Sequence, residues 1–511
     1  MTQQDANGST AGDSAGALKS GQLGTWAIVF FVVAAAAPLV GMTGALPPAM
    51  ALGSGAAVPG AYLVVGLTLL LFSAGYAAMS QRVTNAGAFF AYIGRALGTN
   101  MGVAAAFVSV FAYLTIQLSL FGFFGGLLAE QLGLLPWWGW SSLAWALVTF
   151  LSLCQVDVGA KILGVLMLLE LLCLLLTSGA ILISGGPEGL QWAASFHPRA
   201  IMAGGLNGSA GIALAFAFAS FIGFEATAIY GEESTDPKTV VPRATYFSVC
   251  VITLLFALTS FAVVTGLGAS QVVQKTMLLS SVNNVPLTEP AAVLFYLATH
   301  YIGAWMAHTM GILVISSLFA GLLAFQNSAS RYFFALSRDG ALPRLFCQVN
   351  RRGAPAAAAG LTSLLSGAVI ALFVAAGLDP ILSMFFWFSG VAVVSIVFIE
   401  ILVCLAVIVF FMRQVDKAGL FVSKLAPALS GIGLILGEYL LMSRFGLLTG
   451  AVAKGIDPST TTWGLSMLGW GLVLLPFFIF VGGYFYAAAK QKFSAVSQHE
   501  TLLAGKENLV A

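Results

Sequence analysis

The sequence predicts an all-α polytopic membrane protein of twelve transmembrane helices. Three observations carry that prediction. Charge is scarce, because only 8% of the 511 residues are Asp, Glu, Lys or Arg and 59% are hydrophobic, whereas a soluble domain is about 25% charged. Apolar runs of spanning length recur near residues 25–52, 58–80, 99–129, 137–156, 160–184, 208–230, 242–267, 302–334, 355–377, 380–411, 425–445 and 464–488, and a helix needs about 20 apolar residues to cross the hydrocarbon core. The runs do not alternate in polarity, as barrel strands would, and outside barrels only helices satisfy every backbone amide within the segment.

The first run begins near Trp26 and is too long for a signal-peptide core, so it reads as a retained span. Residues 1–24 are polar and rich in Ser, Gly and Ala, and read as a disordered tail. The expected organisation is a tail over 1–24, one transmembrane domain over 25–490 and a second tail over 491–511. Within the domain, one repeat covers about 25–184, a second covers about 208–411, and two extra helices fall at about 425–488. The division at Gln155–Lys161 separates the fourth and fifth runs. The loops 185–207 and 268–301 read as plain connections, with cover over an outer vestibule as the alternative.

Orientation follows from the basic residues. With twelve spans, 17 of the 21 lysines and arginines fall on the side of the two termini and 4 on the other. That bias places both termini in the cytoplasm of a cell membrane. A net charge of +2 argues against a nucleic-acid partner. The four histidines are scattered and the five cysteines form no C-x-x-C pair, so no metal site or disulfide framework is expected. No cofactor is expected beyond a coupled H+ or Na+.

Two spans carry interruptions. The first contains Pro38, Gly41 and Gly44, followed by Pro47 and Pro48. Pro38 removes a ladder donor, and the glycines lower the cost of leaving helical geometry. The sixth carries Glu225 inside Ala217–Thr227. These are the opening helices of two five-span halves. Transporters built from inverted repeats bind substrate at discontinuous helices in matching positions. Freed amides suit a carboxylate and freed carbonyls an ammonium, which together suit a zwitterion.

Longer motifs follow. They are Asn85-Ala86-Gly87-Ala88-Phe89-Phe90-Ala91-Tyr92-Ile93-Gly94, Gly223-Phe224-Glu225, the stretch from Gly231 to Ala244, and the stretch from Asn327 to Pro343. Over about residues 20–490 the chain resembles the amino acid–polyamine–organocation permeases. The resemblance implies the LeuT-type fold, with ten core helices as two inverted five-helix repeats plus two more, working by alternating access. It implies that amides around Gly41, Met42, Thr43 and Gly44 face a substrate carboxylate. Carbonyls around Phe218, Ala219 and Phe221 would face its ammonium. The motif Gly41-Met42-Thr43-Gly44 departs from the Gly-x-Gly of many relatives. Ala219 stands where some carry Trp.

Four acids, Glu170, Glu225, Glu400 and Glu438, fall inside predicted spans, where ionisable groups are costly and usually functional. Glu225 reads as a substrate-binding or ion-coupling residue at the break, acting as a gate or proton acceptor, or as a helix cap. Glu170 reads as a carrier of a proton, a ligand of Na+ or a structural hydrogen-bonding group. It replaces the lysine found in some proton-coupled relatives. Ser316 and Ser317 on the eighth span, near His308, read as hydroxyls bonded back to their own turn, with a cation site there as the alternative. Glu400 and Glu438 read as packing residues. The expected function is a secondary active permease for an amino acid or related amine. The alternatives are a polyamine- or ethanolamine-type permease without carboxylate recognition, and a channel. The absence of a phosphate-binding G-x-x-x-x-G-K-[ST] loop or a deep metal cluster argues against a nucleotide-driven pump or a membrane enzyme.

Overall fold

A computed structural model describes residues 21, 23–83, 89–154, 158–350, 354–413 and 418–507. The expected tail at 1–24 lies almost wholly outside these residues. So do positions 84–88 of the first long motif, the 155–157 link, and Arg351, Arg352 and Lys417. Among the described residues the structure is helical, with three isolated bridges and no sheet. The helices used below are α1 (Thr25–Ala36), α2 (Leu46–Leu52), α3 (Val58–Ser80), α4 (Phe89–Leu97), α5 (Thr99–Leu132), α6 (Trp137–Cys154), α7 (Val158–Ser184), α8 (Ala210–Phe221), α9 (Ala226–Ile229), α10 (Pro237–Leu267), α11 (Ala304–Arg338), α12 (Ala356–Ala375), α13 (Phe386–Arg413), α14 (Ala426–Ser443) and α15 (Met467–Glu507).

Eleven helical runs among the described residues are long and apolar enough to cross a membrane. They coincide with eleven of the twelve expected runs. The expected fourth run is occupied by α6, of 18 residues, so the count of twelve rests on that helix. The chain is a multi-pass membrane protein. Leu168, Leu172 and Ile183 on α7, and Leu429, Ile432 and Ile435 on α14, are exposed on the helix surface. Lipid is the solvent that such surfaces need.

Small residues let the helices approach closely. A Cβ on Gly66 of α3 would stand 2.3 Å from the methyl carbon of Thr253 on α10. Polar ties add to this packing. Gln117 on α5 donates to Gln326 on α11 at 2.9 Å, and Gln326 donates to Ala359 O and Ser363 Oγ on α12 at 3.0 and 2.9 Å. Such bonds link spans that apolar contact alone would leave free to slide.

The two longer loops are more than plain connections. Ser54, just ahead of α3, donates to Ile201 O at 3.4 Å, and a Cβ on Gly60 would stand 2.4 Å from Ile201. A Cβ on Gly55 would stand 3.2 Å from Val273 of the other loop. Both loops therefore cover the junction of α2 and α3. Glu188 joins them, accepting from the Ser270 amide at 3.0 Å and from its hydroxyl. Those bonds hold the carboxyl below its usual range. Arg444, at the end of α14, is buried among the carbonyls of Gly208, Pro458, Ser459 and Asn207 and fastens two loops together.

Candidate functional site

The first span breaks at Ala37, which adopts left-handed geometry at φ 43. Its amide closes α1 by donating to Val33 O at 3.1 Å and Ala34 O at 3.2 Å. Pro38 then opens the next turn, where its missing N–H and fixed φ cost nothing. Two helix ends thus meet at one residue. The carbonyls of Ala35 and Ala36 and the amides of Leu39 and Val40 are left without helical partners. A π-turn, Gly41–Ala45, follows before α2. Such insertions are frequent at functional positions.

The sixth span breaks between α8 and α9. Ile222 is extended at its ψ of 127, and Gly223 has φ +116, which favours glycine. Glu225 folds back onto this gap. Its Oε2 accepts from the Gly223 amide at 2.9 Å and its Oε1 accepts from the Tyr113 hydroxyl at 2.9 Å. Its carbonyl accepts from the Tyr76 hydroxyl at 2.8 Å. The carboxylate supplies the capping contacts that the break itself requires, and it is fully buried.

The two breaks touch. A Cβ on Gly223 would stand 3.0 Å from Ala35 Cβ, and one on Gly41 would stand 3.4 Å from Ser220. Between them lies a cavity of about 40 Å³. A water needs roughly 10–15 Å³ by this measure, so the space holds a few waters and no amino acid. Its wall includes Ala35, Ala36, Gly41, Ala219 and Ser220 from the breaks, Ile116, Ser119 and Leu120 from α5, and Phe385 and Ser389 near the start of α13. Among the described residues no charged side chain is in the wall.

Of the residues singled out in the sequence, Gly41 and Ala219 line this cavity. The Gly41 amide is taken by Ala37 O at 3.0 Å. Thr43 turns its hydroxyl back to Leu39 O at 2.7 Å. Gly44 faces Phe123, whose ring would stand 2.8 Å from an added Cβ. Met42 is fully buried outside the wall. Phe218 packs on Gly437 of α14, Phe221 on Phe256 of α10, and Glu225 stays in its capping position. The wall residues that sequence reasoning missed include Ser119 and Ser389, whose hydroxyls lie 2.9 Å apart across α5 and α13. Lone serines inside apolar runs were the available signal.

Glu170 lies close by. It is buried on α7 and shares a small pocket with Ala34, Ser316 and Ser317, so it abuts the first break from behind. Ser316 donates to Leu313 O at 2.9 Å, and both serine hydroxyls lie within reach of the Glu170 carboxyl. The structure brings Glu170 of the fifth span together with Ser316 and Ser317 of the eighth, a convergence that the sequence reading did not foresee. Among the described residues no group of three His, Cys, Asp or Glu could hold a metal ion.

A latch closes the other end of α1. Leu23 and Ser234 form a parallel bridge, with Leu23 N donating to Glu233 O at 3.1 Å and Thr235 N to Leu23 O at 2.9 Å. Glu233 pairs with Arg331 at 3.0 Å. The Arg331 guanidinium sits 4.7 Å over the Tyr230 ring, and Tyr230 stacks on Phe31 at 5.4 Å. Residues from two of the long motifs therefore join α1, the 230–235 segment and α11.

Two broken helices that meet around a small cavity place the chain among multi-pass helical membrane proteins with discontinuous spans. The sequence matches the amino acid permease family over residues 27–498, and the chain belongs to that family. It is similar to an uncharacterized transporter of Legionella pneumophila, at 30% identity over 27% of each chain. It is similar to a branched-chain amino acid permease of Bacillus subtilis, at 24% identity over 58% of this chain and 57% of that one. It is also similar to a probable amino-acid permease of Schizosaccharomyces pombe, at 24% identity over 71% of this chain and 62% of that one. The matches thus span less than two thirds of each relative's length.

Proposed function

We propose that the protein is a secondary active transporter that carries a neutral amino acid with an apolar side chain across the cytoplasmic membrane, with both termini in the cytoplasm. The carrying observation is the contact of the two broken helices around one cavity. Freed amides of Leu39 and Val40 sit on one side of the first break and freed carbonyls of Ala35 and Ala36 on the other. They offer donors for a carboxylate and acceptors for an ammonium. The wall of Ile116, Leu120, Phe216 and Phe385 suits an apolar side chain. The Bacillus relative's name supports the same class. An amine lacking a carboxylate would need an acid in the wall, and Glu225 lies outside it.

The cavity's small volume fits a closed state between two access states. The Glu233–Arg331 latch would be the inner gate of an alternating-access cycle. Coupling is assigned to Glu170, with Ser316 and Ser317 beside it, taking up H+ or Na+ next to the first break. The transport itself needs no cofactor.

Uptake into proteoliposomes tests this reading. Purified protein meets labelled leucine, alanine, lysine, putrescine and ethanolamine, each under a pH gradient, a Na+ gradient, or with unlabelled solute inside. Saturable uptake of an apolar amino acid is the expected result. Uptake of only the amines, or of none, in folded protein would overturn it.

A further inference from the structure

Two buried acids stand outside every contact used so far. A Cβ on Gly431 of α14 would lie 3.5 Å from Cys404 Cβ on α13, which sets the register of these consecutive, antiparallel helices. Glu400 lies one turn before Cys404, and Glu438 lies two turns beyond Gly431. At 3.6 residues per turn both face the same seam. They are 2% and 7% exposed. Glu400 Oε2 and both carboxyl oxygens of Glu438 have no hydrogen-bond partner among the described residues.

The titratable groups within electrostatic reach of Glu400 are Glu225, Glu438, Tyr76 and Cys404. Among the described residues, no lysine, arginine or histidine belongs to this group. An ionised carboxylate buried without a partner costs several kcal/mol. Two that share one seam cannot both remain ionised and unmatched. The pair therefore needs a ligand of positive charge. A hard metal cation wants about six oxygen ligands, and the Ser430 hydroxyl, next to Gly431, is spent on Thr68 O at 3.0 Å. A proton needs a single oxygen.

The pair also adjoins the sixth-span break. Phe218 of α8 packs on Gly437, next to Glu438, and Tyr76 holds the Glu225 carbonyl. We propose that Glu400 and Glu438 form a proton-binding pair that exchanges protons with Glu225. In the transfer, a carboxyl O–H of the pair gives its proton to the Glu225 carboxylate and is left ionised until it is refilled from solvent. A proton placed on Glu225 Oε2 would face the Gly223 N–H donor, so the cap at the break would be lost. Proton occupancy of the pair would then bias the conformation of the sixth span. The transport consequence rests on the proposed transporter function; the proton binding does not.

The test has two readouts. Infrared spectroscopy of purified protein at neutral pH is expected to show carboxylic-acid absorption that Glu400→Gln and Glu438→Gln each reduce, with the remaining acid's titration displaced. In proteoliposomes, proton-driven uptake by Glu400→Gln is expected to fall about tenfold while exchange of labelled for unlabelled substrate stays within about twofold, and Glu400→Asp is expected to keep driven uptake. Unchanged infrared bands in both Gln variants would overturn the proposal. So would full proton-driven uptake in both, loss of exchange along with driven uptake, or wild-type transport indifferent to protons. If the wild-type protein moves no solute, the transporter reading fails, and the infrared result alone decides the pair.

Discussion

At the residue scale, the site turns on backbone geometry at the two breaks. Gly223 is the sharpest case. Its φ of +116 strains any side chain, and the 3.0 Å approach of Ala35 Cβ would force the neighbouring break to shift for a Cβ to fit. Gly223→Ala imposes strain of about 1–3 kcal/mol on the junction of the two breaks. Uptake is expected to fall roughly tenfold or more, while the protein still inserts and elutes as a single species. Normal uptake by this variant would show that the breaks can separate without consequence. Gly44 differs, although both glycines were quoted from the sequence as parts of broken spans. Its missing side chain makes room for Phe123, so Gly44→Leu acts on packing, and its expected defect is lower thermal stability of the purified protein. The broken region of each span was legible, because proline, glycine and a buried acid announce lost helical hydrogen bonds. Which amides become free was not. That depends on Ala37, a residue with no local tendency toward positive φ, held there by the cap and by packing.

At the scale of elements, the latch and the Glu170 pocket meet α1 on one face, at Phe31 and, one turn on, at Ala34. The Arg331 and Glu233 side chains are each 17% exposed, so their pairing lies between a surface and a buried ion pair. Losing it costs on the order of 1–2 kcal/mol. Glu233→Gln is therefore expected to raise the labelling rate of a reporter at Phe31→Cys roughly tenfold. An unchanged rate would mean that the bridge at Leu23 and Ser234 holds the gate alone. One turn along the same face, Glu170→Gln keeps the shape of the pocket and removes its charge. Half-maximal uptake is expected to move about tenfold in proton or Na+ concentration, with the ranking of substrates unaltered. A changed ranking with unchanged ion dependence would make Glu170 a structural partner of Ser316. The motif around Arg331 was visible as a resemblance, but its partner across the fold was not. Nothing local to Glu233 or Tyr230 specifies a contact with a helix about a hundred residues away.

At the scale of the whole molecule, the strongest sequence signal was the simplest one. Spans appear where apolar runs demand them, and eleven of the twelve recur as helices of spanning length. The loops were less legible, because a plain connection and a cover share the same composition and differ only in what they pack against. Orientation remains a physical consequence of charge. Moving the many basic residues of the 331–353 region across a bilayer is unfavourable, whereas the opposite loops carry few. Cys347 sits in that basic region, at the end of the turn Arg344–Cys347, and is partly exposed. Val285 is 43% exposed on a loop assigned to the other side. A membrane-impermeant maleimide applied to intact cells is expected to label Val285→Cys fully and to reach Cys347 only after permeabilisation. Labelling of Cys347 in intact cells would invert the topology. The Glu233–Arg331 latch would then close the outward face, and the loops over α2 and α3 would cover the cytoplasmic one.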